Sequence, residues 1–322
     1  MAELSWRPPA RDHDPAWLDL LLAIEAVDRR GEVLTLDDLA DERASIWSHP
    51  ATDAVFGWDG EQLVAFSWIK TEVGTVSQHR LSCWGGVAPS HRGRGIGRAL
   101  LDRQLARCRE IAVGLDPALP ATVRLEASAD QHDLLALAGR ADFVAERHFL
   151  EVARPAALPL VPVPLAEELG LQRWSDEVDE PTRLAHVEAF ADHWGTEPTT
   201  TEEWRQWYTG HRGFRPDLSH VAVERSSGTV AGFVLVAAYP NDWDTGPREA
   251  WIQSLGTRRA WRSRGVARAL LTAALQDVAE GGDGFERAIL GVDAENPTGA
   301  LGLYRSLGFD DVRVTVRLGL SL

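Results

Sequence analysis

The chain has 322 residues, which at roughly 150 residues per domain suggests about two domains. Its formal charge of -15, from 33 basic against 48 acidic residues, argues against nucleic acid and anionic membrane surfaces, since both demand a basic face. With 44% hydrophobic and 25% charged residues it reads as an ordinary globular chain, and its acidity is compatible with a cationic ligand without establishing one.

Cys83 and Cys108 are the two cysteines. Neither has metal-ligand spacing, and two thiols make a poor disulfide scaffold, so no metal and a reducing cytoplasm are expected. The opening MAELSWRPPARDHD lacks the apolar core of a secretion signal. No stretch approaches the ~20 apolar residues of a membrane span. Nothing in the sequence sets an oligomeric state.

In chain order, residues 15–29 have helical spacing, with Trp17, Leu20, Leu21, Ile24 and Val27 on one face. Residues 34–47 predict a second helix, opened by a capping box of Thr35 and Asp38. Strands follow at 54–58 and 62–69 around the turn pair Asp59-Gly60. Further strands are expected at 80–87, 122–127 and 143–152, with helices after Gly97 and over 130–138. Residues 154–167 then hold Pro155, Pro159, Pro162 and Pro164, a density that resists both helix and central strand. The domain boundary is placed there: a first domain over 1–154, a linker over 155–167 and a second domain over 168–322. After the linker the order repeats. A strand at 169–174 precedes helices over 181–194 and 201–208. Strands at 220–225, 230–238 and 251–255 lead to a helix from Arg268 to Glu280. A strand at 288–292, a helix over 297–307 and a strand at 312–320 close the chain.

Two loops carry the chemistry. Arg262-Ser263-Arg264-Gly265-Val266-Ala267 joins an apolar strand to the helix that begins near Arg268. The first N–H groups of a helix lack intrahelical partners and sit at the positive end of its dipole, so such a loop is a cradle for an anion, a diphosphate above all. The loop occurs twice: Arg92-Gly93-Arg94-Gly95-Ile96-Gly97 lies 170 residues earlier. Neither copy is a P-loop, because no Gly-Lys-Ser/Thr follows, and neither has dinucleotide-fold glycine spacing. The second informative stretch is LGVDAENPTGALGLYRSLGF, residues 290–309. In it Asn296 with Pro297 reads as a helix N-cap and N1, Tyr304 as a core aromatic, and Gly308 as a left-handed helix end.

Together the two stretches resemble the GNAT superfamily of acetyl-CoA-dependent N-acetyltransferases. Arg262, Gly265 and Ala267 match its Q/R-x-x-G-x-G/A pyrophosphate signature, and the N-P-x-x-A-x-x-L-Y-x-x-x-G-F run matches its fourth motif. The resemblance covers the chain once per half. It implies an α/β fold of two tandem GNAT-like mixed-sheet domains. It also implies acetyl-CoA as co-substrate and direct attack of a small-molecule primary amine on the thioester. Backbone groups at Leu255, Gly256 and Thr257 would hold the pantetheine arm and polarise the thioester carbonyl. Residues Arg262 to Arg268 and Asn296 would hold the rest of the coenzyme. Tyr304 would act as general acid. Glu249 is the leading candidate for the base, in an apolar setting beside Trp251 that would raise its pKa; pairing with Arg248 is the competing role. Asp242 and Asp244 are weaker candidates. Trp194, Trp204, Trp207 and Trp243 are candidates for aromatic walls of an acceptor cleft.

The first half departs from the pattern. Its cradle, with Gly85, Val87 and Arg92 to Gly97, is the better match, yet Asp130 replaces the asparagine, Ala138 the tyrosine and Asp142 the glycine. Alanine cannot donate a proton, so this half is expected to bind acyl-CoA without catalysis. The alternative for the whole chain is a non-catalytic acyl-CoA-binding sensor or interaction protein.

Overall fold

The computed structural model describes residues 4–72, 77–244, 246–296 and 299–322. Its first compact unit consists of Met1–His148 together with Val314–Leu322. In it β1 (Ser5–Arg7) precedes α1 (Asp14–Asp28), α2 (Leu36–Ala44), α3 (Pro50–Asp53), β2 (Ala54–Asp59) and β3 (Gln62–Thr71). The Thr35–Asp38 capping box forms as expected, with Thr35 N–H donating to Asp38 Oδ2 at 2.7 Å and Asp38 N–H to Thr35 Oγ1 at 3.4 Å. β4 (His79–Val87), α4 (Ile96–Val113), β5 (Ala121–Ser128) and α5 (His132–Gly139) follow. β6 (Val144–Pro155) begins here, but from Phe149 onward it belongs to the second unit.

The second unit, Phe149–Arg313, contains β7 (Leu169–Arg173), α6 (Asp179–Phe190), and α7 (Thr201–Trp204), which runs into a π-helical turn at Arg205–Thr209. β8 (His220–Glu224), β9 (Val230–Ala238), β10 (Glu249–Thr257), α8 (Val266–Glu280), β11 (Arg287–Asp293) and α9 (Ala300–Ser306) come next. β12 (Asp310–Ser321) starts in this unit, and its residues from Val314 complete the first.

Both sheets have one plan. In the first unit the order is β1-β2-β3-β4-β5-β12, antiparallel except for β4 with β5. In the second it is β7-β8-β9-β10-β11-β6, antiparallel except for β10 with β11. Each sheet has apolar clusters on two faces. Trp17, Leu20 and Leu39 pack on one face of the first sheet, and Leu101, Leu105 and Cys108 belong to a separate cluster. In the second unit Ala185, Ala189 and Trp204 form one layer, and Leu270, Leu271 and Ala274 another. β9 is buried at every position, as a strand covered on both faces must be.

These units differ from the division expected at 1–154 and 168–322. Residues 149–155 pair with β11, Phe149 opposite Asp293 and Pro155 opposite Arg287, while Thr315–Ser321 pair with β5. Each half thus supplies a strand to the other's sheet, and strand partners are not written in local sequence. The proline-rich stretch is irregular, as expected, but it is anchored to the second unit. Buried Arg154 donates from Nε to Leu307 O at 2.7 Å, and its guanidinium also reaches the carbonyls of Leu158 and Pro159.

Helix α9 also differs from expectation. It opens at Ala300, with Gly299 at φ 74 as its N-cap, and Asn296 N–H donates to Asp293 O at 3.1 Å. Pro297, the expected N1 residue, lies outside the described residues. Gly308 takes the left-handed conformation expected of it, φ 87. Cys83 and Cys108 are free, buried and 3.6 Å apart; their mutual contact and burial push the Cys83 thiol well up.

Candidate active site

The site is built where a sheet opens. β10 and β11 pair at only three positions, Glu249 with Arg287, Ala250 with Ala288 and Trp251 with Ile289, and then part. From there β11 continues against β6, and β10 runs on to Thr257. Arg258 N–H donates to Ala231 O at 2.9 Å. By the alternation of an antiparallel ladder, Gly256 and Ser254 therefore turn their backbone groups to β9, and Leu255 and Thr257 turn theirs to the gap. Gly256 serves by its size, since a Cβ there would come within 2.5 Å of Phe233 and 3.1 Å of Ala189.

A β-bulge interrupts β10 beside this gap. The register moves by one between Ile252, opposite Val236, and Ser254, opposite Leu235, which leaves Gln253 without a cross-strand partner. An inserted residue of this kind frees backbone groups from the ladder. The Gln253 carboxamide Nε2 donates to Trp207 O at 2.5 Å.

The cradle follows. Gly265 holds φ 78 as the N-cap of α8, Ser263 holds φ 61, and no side chain caps the helix. The N–H groups of Val266, Ala267 and Arg268 have no carbonyl one turn back to bond, and nothing lies within 4 Å of where a Gly265 Cβ would point. Arg262 braces the loop. Its Nε donates to Thr257 O at 3.3 Å, and its guanidinium reaches Ala189 O at 2.9 Å and Asp192 Oδ2 at 3.1 Å. Arg259 and then Arg262 hold the Asp192 carboxyl below its usual range. Arg264 pairs with Glu168, and Arg268 donates to Ser306 Oγ at 2.5 Å.

Tyr304 is 8% exposed, edge-on to Phe309 at 5.9 Å, and burial pushes its hydroxyl up to about 12. A phenol in this state keeps its proton at neutral pH. Glu249 does not have the apolar isolation expected of it. Arg287 Nε donates to its Oε1 at 2.6 Å, so the carboxylate is held by the cation directly opposite it. Arg248 is engaged elsewhere, donating to Asp283 O and lying over Trp243.

Of the tryptophans expected to wall a cleft, Trp204 lies in the core instead. Trp204 is fully buried, with Nε1 donating to Asp179 Oδ1 at 2.6 Å, and Trp243 packs edge-on to Phe285. Trp207 is bonded to the bulge through its carbonyl. Asp242 and Asp244 lie in a short 3-10 turn.

The first unit repeats the cradle. Gly95 has φ 81 as the N-cap of α4 and Gly93 has φ 73. Ile96 starts the helix, and Gly97 packs near Leu137. Arg92 braces this loop as Arg262 does the other, with Nε on Val87 O at 3.2 Å and the guanidinium on Asp28 at 2.6 and 2.9 Å. Arg94 donates to Ser90 O at 2.9 Å. Ala88 N–H bonds Val64 O at 2.8 Å, so Gly85 and Val87 are the residues whose backbone groups turn from β3. However, β3 and β4 pair in unbroken register from Thr71–Leu81 to Ala65–Val87, with no bulge. Ala138 fills the tyrosine position, fully buried. Gln104 reaches across to Trp84 O at 3.1 Å, and a Cβ on Gly85 would meet its amide at 3.2 Å.

Sequence reasoning missed the bulge at Gln253, the braces Asp28 and Asp192, and Arg287. Asp28 closes α1 and Asp192 lies two residues past α6, and nothing in the local sequence ties either to its arginine. Among the described residues no cluster of three metal-ligating side chains exists, and no helix is long and apolar enough to cross a membrane.

Two parted parallel strands, with a glycine-opened helix entering beside the gap, define an acyltransferase fold of the GNAT class. Residues 18–134 and 179–309 both match the acetyltransferase (GNAT) family, and the chain belongs to it, as an N-acetyltransferase of two tandem GNAT domains. The chain is 30% identical over 238 residues to the mycothiol acetyltransferase of Thermobifida fusca, covering 70% of this chain and 69% of the relative. It is 28% identical over 263 residues to that of Thermobispora bispora, covering 78% of each. Among solved structures, a GCN5-related N-acetyltransferase from Sphaerobacter thermophilus superposes with a TM-score of 0.76 at 23% identity, over 99% of this chain and 95% of the other. A tandem GNAT protein from the clavulanic acid biosynthesis pathway gives 0.73 at 18%, over 99% and 98%. At these identities the two structures speak for the fold alone.

Proposed function

We propose that the chain transfers an acetyl group from acetyl-CoA to the primary amine of a small molecule, with the chemistry in the second unit. The observation that carries this is the difference between the units. Only the second combines a bulged strand with a tyrosine on the helix that follows the parting strand β11. The residues suit the coenzyme: the open N–H groups from Gly265 to Arg268 for the diphosphate, and the backbone of Leu255 and Thr257 for the amides of the arm. Asn296, just after β11, is read as a further coenzyme contact.

In this reading the amine attacks the thioester carbonyl, and the freed N–H groups at the bulge stabilise the developing oxyanion. Collapse expels the thiolate, and Tyr304, neutral at working pH, delivers its proton to sulfur. The attacking amine must be deprotonated. Glu249 can accept that proton only in competition with Arg287, directly or through water. The first unit keeps a cradle without these groups and is read as binding the coenzyme without turnover. The curated relatives bear the name mycothiol acetyltransferase, and their substrate heads the panel of amines to be tried.

The test is release of free thiol from acetyl-CoA in the presence of that panel. Turnover that requires an amine, is lost in Tyr304→Phe and is kept in Ala138→Gly supports the reading. Coenzyme binding without turnover on any amine would replace it with a sensor.

A further inference from the structure

Arginine in this chain is mostly committed. Acidic residues outnumber basic ones 48 to 33, and guanidiniums are matched accordingly: Arg43 with Asp14, Arg107 with Asp53, Arg258 with Glu188. Among the described residues only Arg11, Arg98, Arg109, Arg140 and Arg205 make no side-chain hydrogen bond, ion pair or ring contact. Three of these five, Arg98, Arg109 and Arg140, line a single cavity of about 290 Å³ in the first unit. Arg98 and Arg109 are three helical turns apart and so share a face of α4. Arg140 comes from the end of α5. Buried Leu101 and Leu105 give the cavity an apolar floor. Asp102 and Asp142 also line it, yet neither forms an ion pair with the three arginines among the described residues.

Around this open hollow three exposed guanidiniums, set against the two exposed carboxylates of Asp102 and Asp142, leave a surplus of positive charge. Guanidinium forks match phosphate oxygens two at a time, which an ammonium does not. The length of the groove along α4 suits an extended molecule rather than a lone ion. We propose that this groove, which adjoins the first cradle at Arg98, is a further anion-binding site for a small phosphate-bearing molecule whose carbon body rests on Leu101 and Leu105. It does not depend on the acyl-transfer reading.

The phosphate could instead belong to the coenzyme's own nucleotide end, and the test separates the two sources. Inorganic pyrophosphate is titrated calorimetrically into the full-length protein, with and without saturating CoA, and into the Arg109→Gln/Arg140→Gln variant. A pyrophosphate site that survives CoA and weakens at least tenfold in the variant is the expected result. Loss of that site on adding CoA, equal binding by the variant, or no binding by the CoA-saturated wild type would each overturn the proposal. The arginine variant reads the groove whether or not CoA binds, so a failure here is distinct from a failure of acyl transfer. Because these side chains have no partners, the variant should melt with the wild type. If it does not, Arg140→Gln alone is scored by the same criterion.

Discussion

Tyr304 and Ala138 hold the same place in the two units. The Tyr304 carbonyl accepts from Phe309 N–H at 3.2 Å and the Ala138 carbonyl from Phe143 N–H at 3.1 Å. Each helix then leaves through a left-handed residue, Gly308 at φ 87 and Asp142 at φ 63. Tyr304→Phe should lower kcat by roughly 10²- to 10⁴-fold, the usual span for a lost general acid, with little change in coenzyme affinity. Ala138→Gly should leave turnover alone and cost only about 0.5–1 kcal/mol of stability. Steady-state kinetics and urea melts on the two variants decide this. Equal effects on kcat would remove the division of labour between the units.

The pair Glu249–Arg287 is mostly shielded, with side chains 13% and 31% exposed. Removing one partner strands the other, so Glu249→Gln and Arg287→Gln should each destabilise by about 1–3 kcal/mol. The double variant should cost clearly less than their sum. A urea double-mutant cycle measures this. If Glu249 is also the base, Glu249→Gln will slow transfer to every amine; unchanged kcat/KM would leave it as a strut.

His186 gives a pH dependence. Burial, chiefly, with the charges of His193 and Arg183 behind it, lowers its pKa to about 4, against about 6.5 for a free imidazole. Below that free value the unfolded chain takes up a proton that the folded chain refuses, so stability should fall as pH drops from about 6.5 to about 4. The slope is about 1.4 kcal/mol per unit, and the contribution vanishes above neutrality. Urea midpoints at pH 7 and pH 5 for wild type and His186→Phe check it; the same slope in both would rule His186 out as its source.

The cradles can be counted by substitution. Gly265→Asp and Gly95→Asp each force a side chain into positive φ and bring a negative charge to a site shaped for phosphate. Gly265→Asp should abolish turnover. Gly95→Asp should preserve it while lowering the CoA stoichiometry from two to one. A wild-type stoichiometry of one would mean that the first cradle is empty in solution, as Gln104 bonded to Trp84 O would favour.

The repeat, the cradles and most elements were legible because local chemistry writes them. Glycine at 95 and 265 is needed for φ near +80, apolar periodicity marks the helix faces, and proline marks the irregular stretch. What was not legible depends on partners distant in sequence. Nothing near Glu249 announces Arg287, and nothing near Gln253 says that the opposing strand slips by one residue. Arg92 and Arg262 read as coenzyme ligands because their charge was visible, whereas Asp28 and Asp192, which claim that charge, stand one helix away in the fold and far away in sequence.

The exchange of β6 and β12 fixes the order in which the chain can mature. A ribosome that has finished residue 148 has made all the helices of the first unit, yet the outer edge of β5 stays open until Val314–Leu322 emerges. An open edge invites pairing with other chains. A gene cut at the proline-rich stretch would therefore yield two fragments, each missing a stave and carrying one that belongs to the other, and neither half could have been traded alone during evolution without that debt.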